Sequence, residues 1–142
     1  MGSGIASHRV QEHRPFLRRA RVLLVEPDLR DRQYYTSLLQ QQGFRVCVCT
    51  SYNEAERSLA DGPVDFAVIN QGSRAFEGRT LLERVLAIDR HIPVVVLTRS
   101  VDMNCYLEAM QLGAVDYLEK PLSSEQVLRV IETHLRPRAA VA

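Results

Sequence analysis

Four polar residues stand at the ends of short apolar runs, and their chemical types suit phosphoryl chemistry. They are Glu26, Asn70, Thr98 and Lys120. A carboxylate, a hydroxyl and an ammonium group together are suited to holding a metal ion and the oxygens of a phosphoryl group. The residue at position 70 is a neutral amide, whose delocalised lone pair leaves no anionic nucleophile. The sequence therefore predicts a phosphoryl-type pocket that has no acceptor.

These residues are positioned by apolar runs that alternate with amphipathic helical segments. Unbroken β-branched runs are typical of parallel strands covered on both faces, and they occupy residues 22–25, 46–48, 66–69, 94–97 and 115–118. Helix caps and helix ends are indicated between them, at Asp28, Gly43, Ser51, Gly113 and Ser123. Five strands alternating with five helices through right-handed crossovers predict a doubly wound α/β three-layer sandwich. Ligands of such sheets bind outside the carboxyl ends of the strands, so the four polar residues should converge.

The bulk composition indicates an ordinary folded domain. The 142 residues are 46% apolar and 25% charged, with a net charge of +1, which fits one domain with a real core. No run approaches the roughly 20 apolar residues of a membrane helix. Three cysteines without framework spacing favour reduced thiols. We therefore expect a cytoplasmic protein without a membrane partner.

The charge is unevenly distributed along the chain. Residues 1–21 contain five arginines and one glutamate, so we expect 1–19 to be a basic, flexible arm, 20–136 the folded domain, and 137–142 a tail or the start of a linker. The arm is a candidate for contacting nucleic acid or an acidic partner. It has a single aromatic residue, Phe16, so a solvated tail is the favoured interpretation and nucleic acid is not expected as a partner.

The spacing of the polar residues resembles that of the receiver domain of bacterial two-component response regulators. Asn70 stands eight residues before Gly78, as the phosphoacceptor Asp of that family stands before its Gly. Thr98 precedes Lys120-Pro121 at the family interval, and Tyr117 occupies the aromatic switch position. The resemblance implies a flavodoxin-like (βα)5 fold, sheet order 2-1-3-4-5, and a cis Lys120-Pro121 bond.

The family also suggests roles for these positions. Its members hold Mg²⁺ with an acid pair and the acceptor Asp, which takes a phosphoryl group from a phosphohistidine, and the Thr and Lys stabilise the phosphoryl oxygens. The aromatic residue then turns inward and remodels a surface used for dimerisation or for holding an output domain. By resemblance Thr98 and Tyr117 are switch positions. The interaction face, on the fourth helix, fifth strand and fifth helix, includes Met103, Tyr106, Met110, Tyr117 and Leu122.

The chain departs from the family at three positions. Asn70 replaces the acceptor, and Pro27 replaces the second acid, which is normally a direct metal ligand. Arg99 stands where the family prefers a small residue after Thr98. Because Mg²⁺ depends on one or two carboxylates, we expect Mg²⁺ binding to be weak or absent, with no cofactor and no metal site.

Charge balance predicts what occupies the place of the metal. Glu26 and Lys120 neutralise each other, and we expect them to form a standing ion-pair cluster, with Arg99 as a further member. The alternative is that Arg99 points to solvent. Asp28, which belongs to the predicted pocket, and Asp31 are possible substitute metal ligands, although Asp28 is better explained as a helix cap.

Other candidate sites are weaker. Cys47 and Cys49 share one face of a strand, but no nearby Cys or His completes a metal site, so packing is favoured. The four histidines have no ligand spacing, and no GxxxxGK[ST] or GxGxxG phosphate loop is present.

Together these features predict a pseudo-receiver: a non-enzymatic signalling domain, independent of phosphorylation, that acts on a protein partner, a fused output domain or a second copy of itself. Two alternatives stay open. One is a working phosphorelay receiver with an unconventional acceptor. The other is a small-molecule or flavin-binding module on the same fold.

Overall fold

A five-stranded parallel sheet with helices on both faces makes up the computed structural model, which describes residues 20–135. The strands are β1 (Arg21–Val25), β2 (Arg45–Cys49), β3 (Phe66–Asn70), β4 (Val94–Thr98) and β5 (Asp116–Glu119). The helices are α1 (Leu29–Gln41), α2 (Tyr52–Ser58), α3 (Arg79–Ile88), α4 (Met103–Leu112) and α5 (Ser124–His134). The sheet order is β2-β1-β3-β4-β5, so the predicted flavodoxin-like architecture is confirmed.

The predicted N-terminal arm, residues 1–19, and the C-terminal tail, 137–142, lie outside the described residues. Within residues 20–135, none of the helices has the length and apolar character that a bilayer crossing requires.

Two apolar layers separate the sheet from its helices. Alternate side chains of each strand point to opposite faces, so Leu23 and Val25 of β1 pack with α2, α3 and α4, whereas Val22 and Leu24 pack with α1 and α5. Strands β1, β3 and β4 are buried on both sides, as their unbroken apolar runs predict. The edge strands β2 and β5, which the sequence also shows as apolar runs, are partly exposed.

Helix caps lie close to the predicted positions. Asp28 accepts a hydrogen bond from the amide of Asp31 at the start of α1, and Ser123 forms a complete capping box with Gln126 on α5. Ser51, the predicted cap of α2, forms only half of a capping box. Its hydroxyl accepts from the amide of Glu54, but the Glu54 carboxylate accepts from the Thr50 amide instead of the Ser51 amide.

The loop between β3 and α3 folds back onto the end of β3. The amide of Gly78 donates to the carbonyl of Gln71 over 3.1 Å, and a Cβ atom on Gly78 would lie 2.5 Å from the Asn70 carbonyl oxygen. A side chain at 78 therefore requires the backbone to shift. This close approach is the physical reason why position 78 is a glycine.

We predict that Gly78→Ala lowers the free energy of unfolding by about 1–3 kcal/mol, because the added methyl group overpacks against backbone. Urea unfolding measures this change. The matched control is Thr80→Ala, an exposed position two residues later, for which we expect a change within about 0.5 kcal/mol. Equal stability of the Gly78→Ala variant and the parent would contradict the packing argument.

Candidate functional site

The pocket at the carboxyl ends of the strands is organised around the ammonium group of Lys120. Its Nζ donates to Glu26 Oε1 at 2.7 Å, to Asp31 Oδ2 at 2.8 Å and to Asn70 Oδ1 at 3.0 Å. The side chain is 3% exposed. An ammonium group has three donors and no acceptor, so every hydrogen on this buried nitrogen has a partner.

Four elements place these side chains together. Glu26 directly follows β1, Asn70 is the last residue of β3, and Lys120 follows β5. The Lys120 amide donates to the Thr98 carbonyl over 2.7 Å, which continues the pairing of β5 with β4. The peptide bond that follows, Lys120–Pro121, is cis, as predicted. Asp31 enters from the first turn of α1, one turn after its cap.

Asp31 links Lys120 to Arg99. Arg99 Nε donates to Asp31 Oδ2 over 3.1 Å, and Nη2 donates to Asp31 Oδ1. The Arg99 side chain is 62% exposed whereas that of Asp31 is 9% exposed. Arg99 thus belongs to the cluster and also faces solvent, and its partner is Asp31, which the sequence analysis considered only as a metal ligand.

The cluster is formally neutral, since the carboxylates of Glu26 and Asp31 face the cations of Lys120 and Arg99. Burial acts to raise the pKa of Asp31, but hydrogen bonds from Lys120 and Arg99 and their positive charges outweigh it, so the pKa lies below the ordinary value of 3.8. Asp31 is therefore ionised at neutral pH, and the network persists without an added cation.

The donor set does not fit a Mg²⁺ ion. Glu26 Oε1 accepts from Lys120 and Oε2 from the Asp28 amide at 3.0 Å, and both Asp31 oxygens accept from cations. A hard dication depends on carboxylate oxygens, and here it would have to compete for each of them with a donor that is already bound. Within residues 20–135, no three acidic, histidine or cysteine side chains are grouped so that they could hold a metal.

Two further pocket predictions lie outside the cluster. Asp28 is exposed and caps α1, as expected. Pro27 is exposed, and its carbonyl accepts from Arg32 Nη1 at 3.1 Å. Pro27 therefore contributes backbone at the mouth of the pocket and no side-chain ligand.

Thr98 and Tyr117, the predicted switch positions, are both buried. The Thr98 hydroxyl accepts from the Ser100 amide at 3.0 Å and donates to the Ser100 carbonyl at 2.9 Å. The Tyr117 hydroxyl donates to Gln71 Oε1 and accepts from the Asp102 amide at 3.2 Å. Neither hydroxyl has a hydrogen bond to the Lys120 cluster.

The structure corrects the composition of the predicted interaction face. Tyr117 is 8% exposed and Leu122 is 6% exposed, so neither presents a contact surface. The Tyr117 ring belongs to the apolar layer under α4, and Leu122 packs with α1 and α5. The other three members, Met103, Tyr106 and Met110, are exposed. Sequence reasoning missed two neighbours with exposed apolar side chains, Val101 and Leu107.

The cysteines have a packing role in the structure. Cys49 is buried, and its Sγ lies 3.2 Å from Ser58 Oγ. Burial raises the pKa of the Cys49 thiol to about 11, so it stays protonated and unreactive at neutral pH.

Comparison with known proteins gives the family context. The family model described as "Response regulator receiver domain" matches residues 22–132. The PhoP virulence transcriptional regulatory protein of Salmonella typhimurium is 30% identical over 122 residues, which are 86% of this chain and 54% of that protein. The chain thus spans about half the length of this curated relative.

Solved structures share the fold. A response regulator receiver domain from Clostridium thermocellum aligns with a TM-score of 0.77 at 22% identity, covering 87% of this chain and 99% of that one. The beryllofluoride-activated NtrC4 receiver domain dimer aligns with a TM-score of 0.73 at 22% identity, covering 81% and 95%.

We predict that Asp31→Asn lowers the free energy of unfolding near neutral pH by about 1–3 kcal/mol, because the buried ammonium group of Lys120 loses an anionic acceptor. Urea unfolding across a pH series measures it. A depressed folded-state pKa stabilises the protein above the ordinary value of 3.8, and this stabilisation disappears as the pH falls through the lower folded-state value. The difference between wild type and variant should therefore shrink in acid.

The matched control is Arg99→Ala, which removes the exposed cation of the same network. We expect less than about 1 kcal/mol from it, because a solvated guanidinium contributes little. A cost equal to that of Asp31→Asn, or a pH-independent difference between Asp31→Asn and wild type, would refute the assignment of Asp31 as the buried link.

Proposed function

The chain belongs to the response regulator receiver domain family, and on that basis we propose that it is a pseudo-receiver. It is a two-component signalling domain that works without being phosphorylated and acts through protein contacts. It catalyses no reaction, uses no cofactor and works in the cytoplasm.

The observation that carries this proposal is the hydrogen bond from Lys120 to Asn70 Oδ1, 3.0 Å long. It supports the proposal because the side chain that meets Lys120 at the end of β3 is an amide and not a carboxylate. Transfer would require an anionic oxygen of residue 70 to form a bond to phosphorus while the donor leaves. An amide has no such oxygen and its nitrogen lone pair is delocalised.

The electrostatics of the pocket support the same proposal. Unit charges about 4 Å apart attract by about 4 kcal/mol, before desolvation, at an effective dielectric of 20. Lys120 is closer than that to two carboxylates, at 2.7 and 2.8 Å. A Mg²⁺ ion would have to displace it from both and pay for its own dehydration.

Two carboxylates in the pocket define the alternative of an unconventional acceptor. Glu26 and Asp31 have anionic oxygens, but each already accepts hydrogen bonds from cations or backbone. This engagement disfavours both as nucleophiles. If a phosphorylated product forms, a peptide map shows whether Glu26 or Asp31 carries the phosphoryl group.

The exposed apolar side chains of α4 support a protein partner. Met103 is 67% exposed, and Tyr106, Leu107 and Met110 lie on the same helix. Apolar side chains concentrated at one surface mark interaction sites. PhoP is a transcriptional regulator about twice as long as the matched region, and the NtrC4 receiver is a dimer. The extra length of PhoP favours an output domain as the partner, and the NtrC4 dimer favours a second copy. We propose no contact of this domain with a membrane or with nucleic acid.

We predict that incubation with Mg²⁺ and acetyl phosphate leaves the mass of the intact protein unchanged, and that Mg²⁺ with beryllofluoride leaves the amide NMR spectrum unchanged. The reason is the missing anionic oxygen at position 70. The comparison variant is Pro27→Asp/Asn70→Asp, which restores both family acids and should respond at the strand ends. A wild-type mass gain, or wild-type shifts centred on Asn70 and Lys120, would end the proposal.

We predict that Met103→Glu weakens self-association at least about tenfold if the partner is a second copy, because it places a charge in a desolvated contact. Sedimentation equilibrium measures this. Leu29→Glu is the control, since Leu29 is also exposed, at 56%, but lies on α1. If the wild-type protein stays monomeric at all concentrations, a second copy is excluded as the partner and an output domain is the remaining candidate.

A further inference from the structure

We propose that Gln71 is a positioning residue that holds the Tyr117 side chain inside the domain and thereby fixes the start of α4, where the exposed apolar face lies. The inference rests on the proposed function and deepens it, because it names the internal contact that sets the shape of the partner face. Gln71 follows Asn70 directly, so pocket and face are connected through consecutive residues of β3 and its loop.

The backbone holds Gln71 in place. It is 1% exposed, its amide donates to the Leu97 carbonyl over 2.8 Å, and its carbonyl accepts from Gly78 at 3.1 Å. The side-chain amide Nε2 donates to the Ser73 carbonyl over 3.2 Å. With the nitrogen engaged, Oε1 is aimed at the Tyr117 hydroxyl, which donates to it. A buried amide is costly unless it is hydrogen-bonded, and here both of its atoms have partners.

Tyr117 connects Gln71 to the start of α4. Its hydroxyl accepts from the Asp102 amide at 3.2 Å, and the Asp102 carboxylate caps α4 by accepting from the Cys105 amide at 3.0 Å. Burial raises the pKa of Tyr117, so the phenol keeps the proton that it donates to Gln71. A continuous series of hydrogen bonds therefore runs from the β3–α3 loop to the cap of α4.

The last link reaches the surface. The ring of Tyr106 meets the ring of Tyr117 edge to face, with centroids 5.6 Å apart and planes at 70°. Tyr106 is 40% exposed and Met103 is 67% exposed, both in the first turn of α4. An outward movement of Tyr117 would remove the surface on which Tyr106 packs and would displace its neighbours.

A plain packing role for Gln71 makes a different prediction. In that case Tyr117 would be held inside by its own apolar contacts, and Gln71 would stabilise only the loop through Ser73. Removing the Gln71 side chain and removing the Tyr117 hydroxyl would then change exchange of the Asp102 amide independently of each other. If Gln71 acts through the phenol, its loss has no further effect once the hydroxyl is absent.

Hydrogen exchange of the full chain, without Mg²⁺ or a phosphodonor, tests this. We expect Tyr117→Phe and Gln71→Leu each to speed exchange of the Asp102 amide about fivefold, the factor that corresponds to one lost buried hydrogen bond. The double variant should exchange no faster than Tyr117→Phe alone. Tyr106→Phe, which removes a hydroxyl from the same aromatic pair at an exposed position, is the matched control and should change exchange less than about twofold.

Unchanged Asp102 exchange in Gln71→Leu, or effects that multiply in the double variant, would overturn the inference. If Gln71→Leu does not fold, the side-chain amide resonances of Gln71 in Tyr117→Phe decide: a shift supports the contact, and wild-type resonances reject it. Phosphorylation of the wild type would refute the proposed function and leave these outcomes intact. Likewise, unchanged hydrogen exchange in the Gln71 variant would leave the pseudo-receiver proposal intact.

Discussion

The buried ammonium group of Lys120 sets the constraint that the pocket satisfies. A charge removed from water needs opposite charge and acceptors for all of its hydrogens. The chain supplies these from three separate elements, with Glu26 after β1, Asp31 on α1 and Asn70 at the end of β3. Arg99 then balances the second carboxylate. Once these partners are in place, both oxygens of each carboxylate already accept hydrogen bonds. A metal ion would have to compete with these donors, and this competition is one of the grounds for the proposed pseudo-receiver.

The sheet and its order could be predicted because the relevant signals are local and periodic. Unbroken β-branched runs mark strands covered on both faces, and glycine and capping residues mark the helix ends between them. The observed strands begin and end within about a residue of those runs. The interaction face was less predictable because exposure on an edge strand depends on which helices cover it. Among the described strands β5 pairs with β4 alone, yet α4 covers Tyr117, and Leu122 is packed under α1 and α5.

The polar contacts of the site were predictable where the residues stand at the ends of neighbouring parallel strands. Glu26, Asn70 and Lys120 converge because parallel strands end at the same edge. Asp31 and Gln71 follow no such rule, and their partners lie far away in sequence: Asp31 pairs with Lys120 at a separation of 89 residues, and Gln71 with Tyr117 at 46. Asp31 lies three residues after Asp28, the cap of α1. This position in the first turn of the helix is the one sequence signal that favours a place near the pocket. The burial of a single amide side chain such as that of Gln71 produces no sequence pattern from which its partner could be predicted.

Asn70 and Gln71 belong to two networks that diverge from one point of the chain. The side chain of Asn70 accepts from Lys120 in the charged cluster, and that of Gln71 accepts from Tyr117 beneath α4. Consecutive residues at the end of a strand share a rigid backbone, and the Gln71 amide and carbonyl are both bonded here. Any coupling between the two networks would run through this strand end and would act equally in both directions. Under the proposed function, with a neutral amide at position 70, the energy for a rearrangement of these networks would have to be supplied by the protein partner on α4.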